Sequence, residues 1–174
     1  GAGYQTYDEA TDLTTYVKGQ NYWQLKDGFR IDFDAQYAGA RSIAEAQASD
    51  DPGDMLDETL DNMVIHNMAL SLDDDGFLDR AFNAYAAQSG QDPQELRNQV
   101  TGLLAMAPMM GAGSGIDPQL LTEASTALSS FVTDPKTLTI KLAPAEPLVM
   151  STLAEMEDPS ALTKEALGFS ASNE

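Results

Sequence analysis

The chain has no cysteine. Disulfides, thiolate zinc sites and cysteine nucleophiles are therefore excluded, and either redox compartment is compatible with what remains. Basic side chains are scarce. Nine Lys and Arg stand against 28 Asp and Glu, a formal net charge of −19. Between Ser42 and Asp79 there are eleven acids and no Lys or Arg. Such a surface repels phosphate backbones and anionic headgroups, which argues against nucleic acid and against electrostatic membrane docking. Histidine occurs once, as His66, too few for a usual zinc site without cysteine. No apolar run is long enough to span a bilayer, and no secretory signal opens the chain. The first residues are Gly-Ala-Gly rather than Met, so the chain reads as part of a longer protein, and a signal or anchor elsewhere is compatible with it.

What is present fits a soluble globular class: 43% hydrophobic residues and a mean hydropathy of −0.28 over 174 residues. The expected organisation is a single α+β domain over residues 1–174, an antiparallel sheet of three to five strands with helices packed on one face. Phe29, Ile31, Phe33, Ala35 and Tyr37 alternate with polar residues and predict the cleanest strand. Met63 to Leu72 predicts a second. Its apolar positions switch from odd (Met63, Ile65) to even (Met68, Leu70, Leu72), so one extra residue near His66-Asn67 is expected as a β-bulge. Leu138, Ile140 and Leu142 predict a third strand, bounded by Pro144 and Pro147. Tyr22 to Leu25 and Leu167 to Ala171 suggest short additions. Residues 1–6 read as a frayed leader and Asp8 to Lys18 as a short helix, with Ala10, Leu13 and Val17 on one side.

Five of the eight prolines follow an aspartate, a pairing that fixes turns and helix starts. Helices are expected from Phe77 to Gly90, capped by Asp74 or Asp75, from Asp92-Pro93 and from Asp117-Pro118. The second should bury Leu96, Val100, Leu103, Leu104 and Ala107 and end at Pro108. Ala38 to Gln47 is ambiguous, Ser49 to Asp54 reads as a polar break, and short helices are expected around Val149–Met156 and from Asp158-Pro159.

No catalytic constellation stands out, and no cofactor motif is present. The glycines from Gly111 to Gly115 follow a helix and lack the Lys-Ser/Thr of a phosphate loop. Asp73, Asp75 and Asp79 partly fit a calcium loop, but Ser71 and Phe82 occupy the positions where the pattern needs its first acid and its bidentate Glu; no metal site is expected. Met106, Met109 and Met110 lie in a charge-free run from Val100 to Ile116. Methionine suits adaptable apolar contacts, so these three are the candidate surface for a protein partner or hydrophobic ligand, on a segment expected to be a loop with at least one methionine exposed.

Leu70-Ser71-Leu72-Asp73 leading into Leu78-Asp79-Arg80-Ala81, and Asp134-Pro135-Lys136-Thr137-Leu138-Thr139-Ile140 with Pro144 and Pro147, resemble the closing segments of large uncharacterised proteobacterial envelope proteins, loosely AsmA-like. The resemblance covers roughly residues 60–172. It implies a non-enzymatic, periplasmic or other extracytoplasmic domain, although the residues themselves do not exclude the cytoplasm. The chain departs from that pattern in lacking a long run of amphipathic strands, so a lipid-conducting groove is not implied. The expected function is a binding or structural domain of an envelope protein, the alternatives being a carboxylate-based hydrolase and a calcium-responsive interaction domain. Oligomeric state is not legible in the sequence.

Overall fold

The computed structural model describes residues 1–46, 59–155 and 159–174. The expected break at Ser49–Asp54, and the helix positions Met156 and Asp158, lie outside the described residues.

The protein is α+β, built on one antiparallel sheet of eight strands, larger than the three to five expected. Strand β4 (Phe29–Ala38) is the pivot. On one side it pairs first with β3 (Tyr22–Leu25) and then with β2 (Leu13–Tyr16); β1 (Gln5–Asp8) flanks β2. On the other side lies β5 (Val64–Asp74), followed by β6 (Thr137–Leu142) and the edge strand β8 (Phe169–Asn173); the short β7 (Leu148–Val149) pairs with the start of β5.

The hairpin β1–β2 replaces both the expected leader and the expected helix at Asp8 to Lys18. Ala10, Leu13 and Val17 mimic a helical stripe, but Thr14, Thr15 and Tyr16 belong to the residue types that favour a pleated surface. Asp8 Oδ1 accepts from the Ala10 N–H at 2.9 Å, an Asx turn, and Asp12 sits at φ 52°. Pairing with β4, Tyr16 opposite Ala35 and Leu13 opposite Ala38, then decides the conformation. Ala2 bridges Tyr22, so the first residues are tied to the sheet.

The bulge falls where the period slips. Gln36 faces Asn67, Tyr37 faces Ile65, and His66 is the extra residue. Because opposed residues share a face, the ladders Ile31–Leu72–Leu138 and Phe33–Leu70–Ile140–Ala171 make one face apolar. The ladder Asp32–Ser71–Thr139–Ser172 makes the other polar, with the Ser71 and Thr139 hydroxyls 3.1 Å apart.

Helices α1 (Ala40–Ala46), α2 (Phe77–Ser89), α3 (Pro93–Met110), α4 (Pro118–Thr133), α5 (Met150–Ala154) and α6 (Lys164–Leu167) fill the connections. Helix α4 lies on the apolar face. Its Ala127 and Phe131 form the buried cluster with Leu138, and Leu72, Leu78, Leu128 and Ala171 pack around them. Glu123 on α4 reaches the sheet edge, accepting the Ala171 N–H at 2.9 Å and pairing with Lys164 at 2.5 Å. Burial is shallow elsewhere. Among the described residues no large side chain is fully buried.

Candidate binding surface

Helix α3 starts where the Asp-Pro pair places it. The Asp92 carboxylate accepts from the Gln94 and Glu95 N–H groups at 2.8 and 3.1 Å, and Pro93 occupies the first turn, where its missing N–H costs nothing. Arg97 anchors the helix to its neighbours. It donates to the Val132 carbonyl at 2.7 Å, lies over the Phe82 ring at 4.8 Å, and pairs with Asp79. One apolar stripe, Leu96, Val100, Leu104 and Ala107, is half-buried.

Two expectations fail on this helix. Leu103 is not inward; it is 65% exposed. The helix also does not end at Pro108 but runs to Met110, where Gly111 caps it by donating to the Ala107 carbonyl at 2.9 Å. Pro108 has no N–H to give the Leu104 carbonyl, and the helix ends two residues later. Gly111 gives room to the end of the Leu121 side chain, which would have to turn aside for a larger residue. A Cβ at this position would lie 2.4 Å from Leu121 Cδ1 of α4.

The consequence is a second apolar stripe on the outer side of α3. Leu103, Met106 and Met110 recur at i, i+3 and i+7, with Met109 beside them. The methionines at 106, 109 and 110 are 51, 77 and 74% exposed. No ionisable side chain lies between Arg97 and Asp117. Gly102 interrupts this face, and a Cβ built there would meet no atom of the described residues within 4 Å. At the other end of the helix, Leu96 and Val100 share an apolar recess of about 380 Å³ with Leu78, Ala81, Phe82 and Tyr85 of α2. Leu103 lies one turn beyond Val100, so recess and stripe follow one another along the helix.

The acidic turn before α2 does not gather its carboxylates. Asp73 accepts from the Thr137 hydroxyl. The N-cap position is taken by Gly76, at φ 75°, and not by the expected Asp74 or Asp75; Asp74 reaches past it to accept from the N–H groups of Gly76 and Leu78, both at 3.0 Å. Asp79 is paired with Arg97. Among the described residues no three His, Asp or Glu side chains lie close enough to hold a metal ion. Among the described residues the carboxyls with lowered pKa are held by donors of the fold: Asp12 by the Tyr7 hydroxyl, Asp117 by the Lys164 N–H and Glu123 by the Lys164 ammonium. Among the described residues no helix is long and apolar enough to cross a membrane.

Fold and surface together define an α+β domain with one well-covered helix, α4, and one whose outer face is apolar, uncharged and open. A family model described as "Uncharacterized protein" matches residues 22–174, and the chain belongs to that family. No curated protein and no solved structure matches it.

Proposed function

We propose that the chain is a non-enzymatic binding or structural domain of a bacterial envelope protein, engaging a hydrophobic partner or ligand through the outer face of α3. One observation carries the reading. On a chain of net charge −19, four large apolar side chains, Leu103, Met106, Met109 and Met110, stand more than half exposed on a helix face without a single charge. Exposed apolar patches of this kind mark interaction sites, and methionine adapts to the shape of what it meets. The resemblance of residues 60–172 to the closing segments of envelope proteins supports an extracytoplasmic setting.

A photo-crosslinking amino acid at position 106, in the full-length protein expressed in its own bacterium, tests this. Adducts are expected from position 106 and not from position 83, an exposed site on α2. Silence at 106, or the same adducts from both positions, sinks the proposal, and fractionation of the same cells reports whether the protein resides in the envelope.

A further inference from the structure

We infer that Met106, Met109 and Met110 form a thioether site for a soft monovalent metal ion, copper(I), on the last turn of α3. The inference goes beyond the hydrophobic-partner reading of this face and does not depend on it. It starts from the donors the chain owns. There is no cysteine, so all of the sulfur is methionine. Three of these side chains stand together in the open, 51, 77 and 74% exposed at positions 106, 109 and 110. Met63, Met68 and Met150 are half-buried instead. Leucine would present the same apolar surface; methionine adds a sulfur lone pair.

Spacing brings the three sulfurs within reach of one ion. Met109 and Met110 follow Met106 by three and four residues, the separations at which helical side chains are neighbours, with Cβ atoms about 5–6 Å apart. Long side chains on a helix lean toward its N-terminus, so Met109 and Met110 lie back toward Met106. The flexible thioether side chain lets the sulfurs close on a shared ligand. Chemistry then selects the ion. A thioether is a soft, neutral donor that suits copper(I), whereas calcium and magnesium want carboxylate, carbonyl or water oxygen. Between Arg97 and Asp117 the chain carries neither an ammonium to repel a cation nor a carboxylate to draw a hard competitor. The positive charge left on the ion is balanced by the fold. It sits at the negative end of the helix dipole, in a last turn without a basic residue. Pro108 also leaves the Leu104 carbonyl without its helical donor. A chain of −19 draws cations to its surface. Leu103, one turn earlier and 65% exposed, adds an apolar flank that limits water at the ion.

Silver(I) is the probe, since it shares the preference of copper(I) for sulfur without its redox chemistry. Added in chloride-free buffer to the chain with isotope-labelled methionine methyls, it should shift the signals of Met106, Met109 and Met110 and saturate at one equivalent. The signals of Met63, Met68 and Met150 should stay in place. Anaerobic copper(I) should shift the same three signals, and calcium should shift none of them. Met106→Leu, Met109→Leu and Met110→Leu together keep the volume and the helix propensity and should remove silver binding. His66→Gln should retain it, and circular dichroism should show both variants folded. Unmoved signals overturn the inference, as do shifts spread over all the methionines. So do silver binding that survives the triple leucine variant or is lost with His66→Gln, and a site that takes silver but not copper(I). Crosslinking at position 106 reads the hydrophobic partner separately, without added metal, so either reading can fail while the other stands.

Discussion

Helices α3 and α4 start alike and end up in different environments. Each opens on an Asp-Pro pair whose aspartate caps the first turn. Each carries apolar residues at helical spacing. Yet α4 buries Ser125, Ala127 and Phe131, whereas α3 buries no residue at all. The difference lies in what each one touches. Helix α4 lies against β8 and β6 and shares their buried cluster. Helix α3 lies against α4 and, more lightly, α2, so only one of its two apolar stripes finds cover. Spacing tells which residues share a face; a face is covered only if the fold brings something to it.

Substitutions can break or sharpen this contrast. The largest effect is expected at Phe131, 6% exposed and in the buried cluster. Phe131→Ala should lower unfolding stability by about 3 kcal/mol. Met109→Ala, on the open face, should stay within about 0.5 kcal/mol. Urea denaturation at low salt measures both, and a similar loss at the two sites would erase the distinction between the helices.

Asp92→Ala should cost about 1 kcal/mol, the usual value of a lost helix cap. The loss should appear as faster amide exchange over the first turns of α3, with the turns after Val100 unaffected. Gly102→Ala should act in the opposite direction. With open space at the Cβ position, it should raise monomer stability by about 0.5–1 kcal/mol at low salt. A loss of stability there would mean that the outer face is covered after all.

The smallest effect concerns the latch between α4 and the sheet edge. The Lys164 ammonium holds the Glu123 carboxyl below its ordinary value of 4.5, and Glu123 holds Lys164 above 10.5. The Glu123 contribution is thus present above the unfolded carboxyl pKa and lost as pH falls through the lowered folded value. The Lys164 contribution is present below the unfolded ammonium pKa and lost as pH rises through the raised folded one. Both side chains are about a third exposed, so screening keeps the contribution modest. Glu123→Gln should lose a fraction of a kcal/mol near neutral pH, and the gap to the parent chain should close in acid. A gap that persists unchanged in strong acid would point to packing and not charge.

The legible parts of the protein were those with local causes. Asp92 and Asp117 cap the helices they precede, so the starts of α3 and α4 followed from neighbours in sequence, and at α2 the short acidic turn marked the start although Gly76 takes the N-cap position. The slip from Ile65 to Met68 located the bulge because side chains alternate strictly across a sheet. The hairpin at Gln5–Tyr16 was hidden. Its strand character depends on Ala35 to Ala38, some twenty residues away, while Ala10, Leu13 and Val17 suggested a helix. In the candidate surface, the residue types at Met106, Met109 and Met110 predict exposure, which the structure shows, but Pro108 and the following glycines predict a loop where the helix continues to Met110.

Sequence by itself determined the caps, the strand period, the bulge and the charge-free run between Arg97 and Asp117, because each rests on short-range geometry or on composition. Tertiary structure alone decided that the sheet has eight strands, that α4 covers it, and that Leu103 faces outward. The physical reason is common to all three. Strand pairing and face burial are contacts between distant segments, and a helix with apolar residues on two sides gives no local sign of which side its neighbours will cover.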